Sequence, residues 1–243
     1  MDVIHVVCHP LVTWRCKPAS TYKFSRTYPF VTPTAHHGIL CRLLETDIYN
    51  FVGGEDFSDK VASVGMYPEG DVVTHDELIK RSGSDEVKNY NPNRLAVENA
   101  MSVPLHGYTF LIDESATEFY DRLKMCEGGM TNITDAEHPA ILPSVELIEA
   151  KSVSSDRLDV VLDQGVDVLS GLPAVVPMRH DFKSNRKNTW DAFMNGTIIT
   201  PFKPYREGNV WIRDKIELEG CIDAVDCGGF VVDKRLIDKC VCV

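Results

Sequence analysis

With 243 residues, 44% of them hydrophobic, the chain can bury a substantial core without metal or disulfide staples, which sets aside disordered and small stapled proteins. No apolar run approaches the ~20 residues that span a bilayer, and MDVIHVVCHP has an acid at position 2 where a leader would be basic. A cytoplasmic protein with no membrane partner is expected. A net charge of −11 argues against nucleic acid until its distribution is read: residues 1–42 carry +4 and the remainder −15. That asymmetry points to an anionic partner on the N-terminal segment; uneven surface charge is the plainer reading.

In chain order, the β-branched run 3–8 reads as a first strand. A polar, basic stretch follows, with Trp14, Tyr22, Phe24 and Tyr28. Thr32 then suits an N-cap and Pro33 the first helical position, and Ile39, Leu40, Leu43, Leu44 and Ile48 form one apolar stripe that ends at Gly53-Gly54. Residues 61–67 and 103–112 read as strands. The polar segment between them, 68–100, has a charged helix-like piece at 75–81, and an insertion of that length inside a domain is usually functional or disordered. Residues 116–126 read as a second helix, with Phe119, Leu123 and Cys126 at helical spacing and Gly128-Gly129 as its stop. Short β-rich runs follow at 144–150, 157–162, 197–200, 210–218 and 229–232, with no long helix.

The order β-α-β-(insertion)-β-α predicts an α+β fold with a ferredoxin-like domain over 1–130, interrupted at 68–100, and a mostly antiparallel β region over 131–243. The eight cysteines include no CxxC pair, so reduced thiols are expected, and no metal or cofactor. At the N-terminus of the first helix, the hydroxyls of Thr32 and Thr34 and the free amides make an anion site, with Arg15, Lys17, Lys23, Arg26 and Arg42 supplying positive field. His36 and His37 stand on the first turn. Tyr22, Phe24, Tyr28 and Phe30 offer rings for stacked bases. A second basic cluster, MRHDFKSNRKNTW, brings Arg179, His180, Lys183, Arg186 and Lys187 and reads as a flexible arm for a nucleic-acid backbone. Each feature also has a plainer reading: a helix cap, core phenylalanines, a solvated histidine pair, a solvated loop.

The stretch KPASTYKFSRTYPFVTPTAHHGILCRLLE resembles the N-terminal signature of the CRISPR-associated Cas family five of the RAMP superfamily. Arg26, Tyr28-Pro29, Thr32-Pro33-Thr34-Ala35 and Gly38-Ile39-Leu40 stand in the signature's order. The resemblance implies a ferredoxin-like domain with a thumb hairpin at 68–100. It further implies a guide-RNA ligand capped at its 5′ handle in a type I Cascade-like complex, contacts to backbone and large subunits, and target DNA as a further candidate partner. Some family members cut precursor guide RNA with Tyr, Lys and His. Here the matching helix position is Leu44, with Tyr49 five residues on, so the expectation is a binding role with no catalytic residues. The alternatives are a metal-independent endoribonuclease using His36, His37 or His180, and an acidic interaction protein without RNA.

Overall fold

A strand of alternating burial opens the chain: Ile4, Val6 and Cys8 are buried on one side, while His5, Val7 and His9 are more open on the other. The computed structural model describes residues 1–16, 24–25, 27–44, 59–80, 94–113, 116–133, 138–180, 193–205 and 209–241, with the backbone alone at 24–25, 77–80, 94–99, 180 and 193. In chain order these residues form β1 (Asp2–Pro10), β2 (Phe24–Ser25), α1 (Pro33–Leu43), β3 (Val61–Pro68), β4 (Val72–Lys80), β5 (Arg94–Ala100), β6 (Leu105–Leu111), α2 (Thr117–Met125), β7 (Met130–Asn132) and β8 (Pro139–Glu149). They continue with β9 (Lys151–Leu158), β10 (Val161–Leu162), β11 (Leu172–His180), β12 (Phe193–Thr200), β13 (Phe202–Pro204), β14 (Val210–Arg213), β15 (Ile216–Asp226), β16 (Val231–Asp233) and α3 (Lys234–Cys240). The class is α+β, mostly antiparallel. Among the described residues no helix is long and apolar enough to cross a membrane.

The first sheet has the order β3-β6-β1-β8-β7, with every pair antiparallel. The chain leaves β1 through α1, returns in β3, turns back through β6 into the gap beside β1, and passes through α2 to β8 on the far side of β1. β8 lies beyond the boundary expected at residue 130, so this sheet draws on both sides of that position. α1 packs on β3, seating Ile39 and Leu40 in a core shared with Val6, Val64, Phe110 and Phe119. Gly65, at φ +108°, makes the close approach possible there: a Cβ would lie 2.7 Å from the carbonyl oxygen of Val31, whose backbone bridges Met66.

The insertion is a strand hairpin. β4 and β5 pair antiparallel from Thr74↔Ala100 to Lys80↔Arg94, so the helix-like piece expected at 75–81 is extended over its described part. Long-range pairing with β5 overrides the local helical pattern. The hairpin's sheet runs β13-β14-β4-β5-β2 and thereby includes strands from both ends of the chain. Two three-stranded sheets, β10-β12-β11 and β16-β15-β9, complete the C-terminal part. α3 was not expected from the sequence. Asp233 caps it by accepting from the Arg235 amide, and Leu236, Ile237 and Cys240 enter the main core. The first helix ends earlier than the stripe suggests, at Leu43 with Leu44 as its C-cap; Ile48 and Gly53-Gly54 lie outside the described residues.

Candidate nucleic-acid interface

Thr32 is the N-cap of α1 and Pro33 its first residue, as the sequence predicts, yet the Thr32 side chain makes no capping hydrogen bond. Its hydroxyl instead receives a weak S–H contact from Cys16 at 3.9 Å. The first turn holds no acidic residue, and the Thr34 hydroxyl, buried at the atom, has no partner among the described residues. The positive end of the helix dipole is therefore left without a countercharge on its own turn.

The chain enters this end through a tight crossing. The Cys16 amide donates to Thr27 Oγ1 at 2.9 Å, and the Tyr28 amide donates to the Cys16 carbonyl at 2.9 Å. The Tyr28 ring lies half-buried beside Phe30, with centroids 5.2 Å apart. Its hydroxyl donates to the Val175 carbonyl of β11 at 2.6 Å, and burial, with the neighbouring Cys16 thiol, pushes that hydroxyl up to about 12. α1 itself packs against β11. The strand that bears Arg179 of the second basic cluster thus lies beside the first helix. Arg179, half-buried on β11, directs its Nε to the Met194 sulfur at 3.2 Å.

The expected RNA-binding residues separate into groups. Thr34, Tyr28 and Arg179 are partly open around α1 and β11. Thr32 (2% exposed), Arg15 (5%), His36 (0%) and His37 (5%) are buried, so their side chains lie beneath the surface rather than along it. His36 packs against the strand at Gly107, where a Cβ would stand 2.6 Å from its Nε2, and burial together with His37 drives its pKa down to about 3. A solvated first-turn histidine pair is not what forms. Arg42 is exposed but sits at the other end of α1, roughly 12 Å along the axis, donating to the Asn132 carbonyl at 3.2 Å. Lys17, Lys23, Arg26, Lys183, Arg186 and Lys187, like Tyr22, lie outside the described residues, as do the side chains of Phe24 and His180.

A cluster the sequence reading missed lies on the opposite face of the first sheet. His5 Nε2 is 3.0 Å from His106 Nδ1, and His106 Nε2 is 3.4 Å from the exposed Glu69 carboxylate. The His5 ring stacks on Tyr108 at 5.0 Å, and Tyr108 stacks on Phe230 at 4.3 Å. Burial holds both imidazoles below the usual histidine value. For His5 the other ring also lowers it, and Glu146 and Glu69 oppose the shift; for His106, Glu69 opposes burial while Arg213 and His9 add to it. The two histidines are 101 positions apart, and only the register Val7↔His106 and His5↔Tyr108 makes them neighbours.

No family model matches the sequence, and no curated protein matches it. A chain of the cryo-EM structure of the Type III-B Cmr-beta bound to cognate target RNA and AMPPnP superposes with a TM-score of 0.50 at 11% identity, over 88% of this chain and 86% of that one. A crystal structure of a CRISPR protein from Archaeoglobus fulgidus gives a TM-score of 0.46 at 14% identity, over 95% and 98% of the two chains. The first likeness establishes a shared fold: this α+β chain is built as that Cmr-beta chain is.

Proposed function

We propose that the chain is a guide-RNA-binding subunit of a CRISPR effector ribonucleoprotein complex. The observation that carries the reading is the fold likeness, spanning 88% of the chain, to a chain of an assembly solved on its target RNA. The N-terminal signature supports it from the sequence side. So does the sheet order β8-β1-β6-β3 with α1 and α2 as crossovers, the arrangement expected of a ferredoxin-like domain. The hairpin β4–β5 stands where the resemblance places a thumb.

In finer detail, the reading has the N-terminal end of α1 receive a phosphate or sugar of the guide's 5′ handle, with Thr34 the hydroxyl that lacks a partner among the described residues and Tyr28 and Arg179 on the same side of the molecule. The signature favours a type I assembly with backbone and large-subunit contacts, whereas the fold likeness is to a chain of a type III-B structure bound to target RNA; a guide-RNA role is compatible with both. The test is to co-express the chain with its genomic neighbours, purify through a tag on this chain, and sequence the nucleic acid recovered. Repeat-derived RNA with a uniform 5′ end supports the reading. A complex free of RNA rejects it.

A further inference from the structure

The turn from β3 into the β4–β5 hairpin, Pro68 to Asp71, is held from two sides. On one side stands Arg213 of β14, whose amide donates to Asp71 Oδ1 at 2.8 Å and whose Nη1 donates to the Pro68 carbonyl. Its Nη2 is fixed in turn by Asp159 Oδ1 at 2.9 Å, and Asp159, 2% exposed, also accepts from Lys215 Nζ at 3.0 Å. A guanidinium keeps its charge at any ordinary pH, so this grip is permanent. On the other side the Glu69 carboxylate meets His106 Nε2 at 3.4 Å, and His106 Nδ1 meets His5 Nε2 at 3.0 Å. That grip depends on protons.

A hydrogen bond between two imidazoles needs a hydrogen on one facing nitrogen and a lone pair on the other. The neutral pair meets this condition when His106 donates to Glu69 and His5 donates to His106. One added proton still meets it, because it enters on His5 Nδ1, away from the contact. A second can only enter on His106 Nδ1. Two N–H groups, each on a cation, then face each other across 3.0 Å, and the rings must part. We propose that the His5–His106 pair is a pH-operated clamp on the root of the β4–β5 hairpin, closed with at most one added proton and opened by the second. His5 is the ring that stays, since Tyr108 stacks on it at 5.0 Å and Phe230 backs Tyr108 at 4.3 Å. The movement therefore falls on His106 and on the turn that carries Glu69.

The groups around the pair set where it opens. Glu69 and Glu146, the residue opposite His5 on β8, favour added protons, and Ser144 donates to Glu146 at 3.1 Å. His9 of β1 and Arg213 oppose them, Asp159 is neutralised by Arg213 and Lys215, and burial keeps the Tyr108 hydroxyl un-ionised. Burial holds both histidines below 6.5, whereas parted, solvated rings regain their ordinary affinity for protons. The closed form is thus fully favoured above pH 6.5 and loses ground as pH falls below it.

The test uses the full chain free of nucleic acid, so its failure leaves the guide-RNA reading untouched. Amide hydrogen exchange, corrected for intrinsic rates, is followed from pH 7.5 to 4.5. The root amides of Thr74 and Met101, which donate to the Asn209 and Val73 carbonyls, should lose about tenfold or more of their protection relative to the amides of α2. His5→Asn leaves one titrating ring and should keep the root closed. Root amides that follow α2 throughout, or that open equally in parent and variant, overturn the clamp. Should His5→Asn not fold, the imidazole nitrogen resonances of the parent decide. A scalar coupling between His5 Nε2 and His106 Nδ1 that vanishes as the second proton binds supports the clamp, and two independent one-proton titrations overturn it.

Discussion

Two histidine environments lie back to back across the first sheet. On the α1 side, His36 is wholly buried, neither ring nitrogen has a partner among the described residues, and its pKa is driven to about 3. On the other face, His5 and His106 are half-buried, bonded to each other and oriented by a carboxylate. One position along β6 separates the faces, since Gly107 meets His36 while His106 turns away. Identical side chains are thus sealed without a ring partner among the described residues on one side and paired with each other and with a carboxylate on the other. Burial and available partners decide which.

The largest effect expected from this contrast is on acid stability. His36 has a folded value depressed to about 3 against an ordinary 6.5, so above pH 6.5 both states are neutral and nothing is lost. As pH falls from 6.5 towards 3, the unfolded chain takes up a proton that the folded one refuses, removing about 4 kcal/mol of stability. Denaturant unfolding across that range should show the loss, and His36→Leu should abolish this share of it. A variant that loses stability in acid as steeply as the parent would break the contrast.

Next in size is Gly107→Ala. The new methyl would stand 2.6 Å from His36 Nε2 and 2.8 Å from Val6 Cγ2, an overpacking that costs about 1–3 kcal/mol. Thermal unfolding measures that cost, and imidazole NMR resonances of His5 and His106 should stay near their parent positions because the clash is on the other face. The smallest effect is that of Glu69→Gln on folding. With its side chain 80% exposed, the Glu69 ion pair should contribute less than about 1 kcal/mol to stability, so an unchanged melting temperature is expected.

The sequence carried local structure well and long-range pairing poorly. The N-cap at Thr32, Pro33 at N1, and the helix bearing Phe119 and Leu123 follow from short-range rules. β11 was missed because Pro173 and Pro177 punctuate it, and the register shift between Pro177 and Arg179 absorbs the second of them. α3 was missed because seven residues give too short a pattern to read. The site residues divide for the same reason: a residue beside a helix start can be picked out locally, but the depth of His36 and His37 depends on the strand they pack against. The proximity of Tyr28 to Val175, or of His5 to His106, exists only once the strands are in register.

Guide-RNA affinity of Thr34→Glu against the parent, at matched salt, tests the proposed helix-terminus contact most directly. A carboxylate in the first turn of α1 suits the helix dipole, so the fold should keep its melting temperature. The same charge occupies and repels the place of an RNA phosphate, so affinity should fall at least tenfold. If the variant binds guide RNA as tightly as the parent, the N-terminal end of α1 is only the start of a core helix and the RNA lies elsewhere.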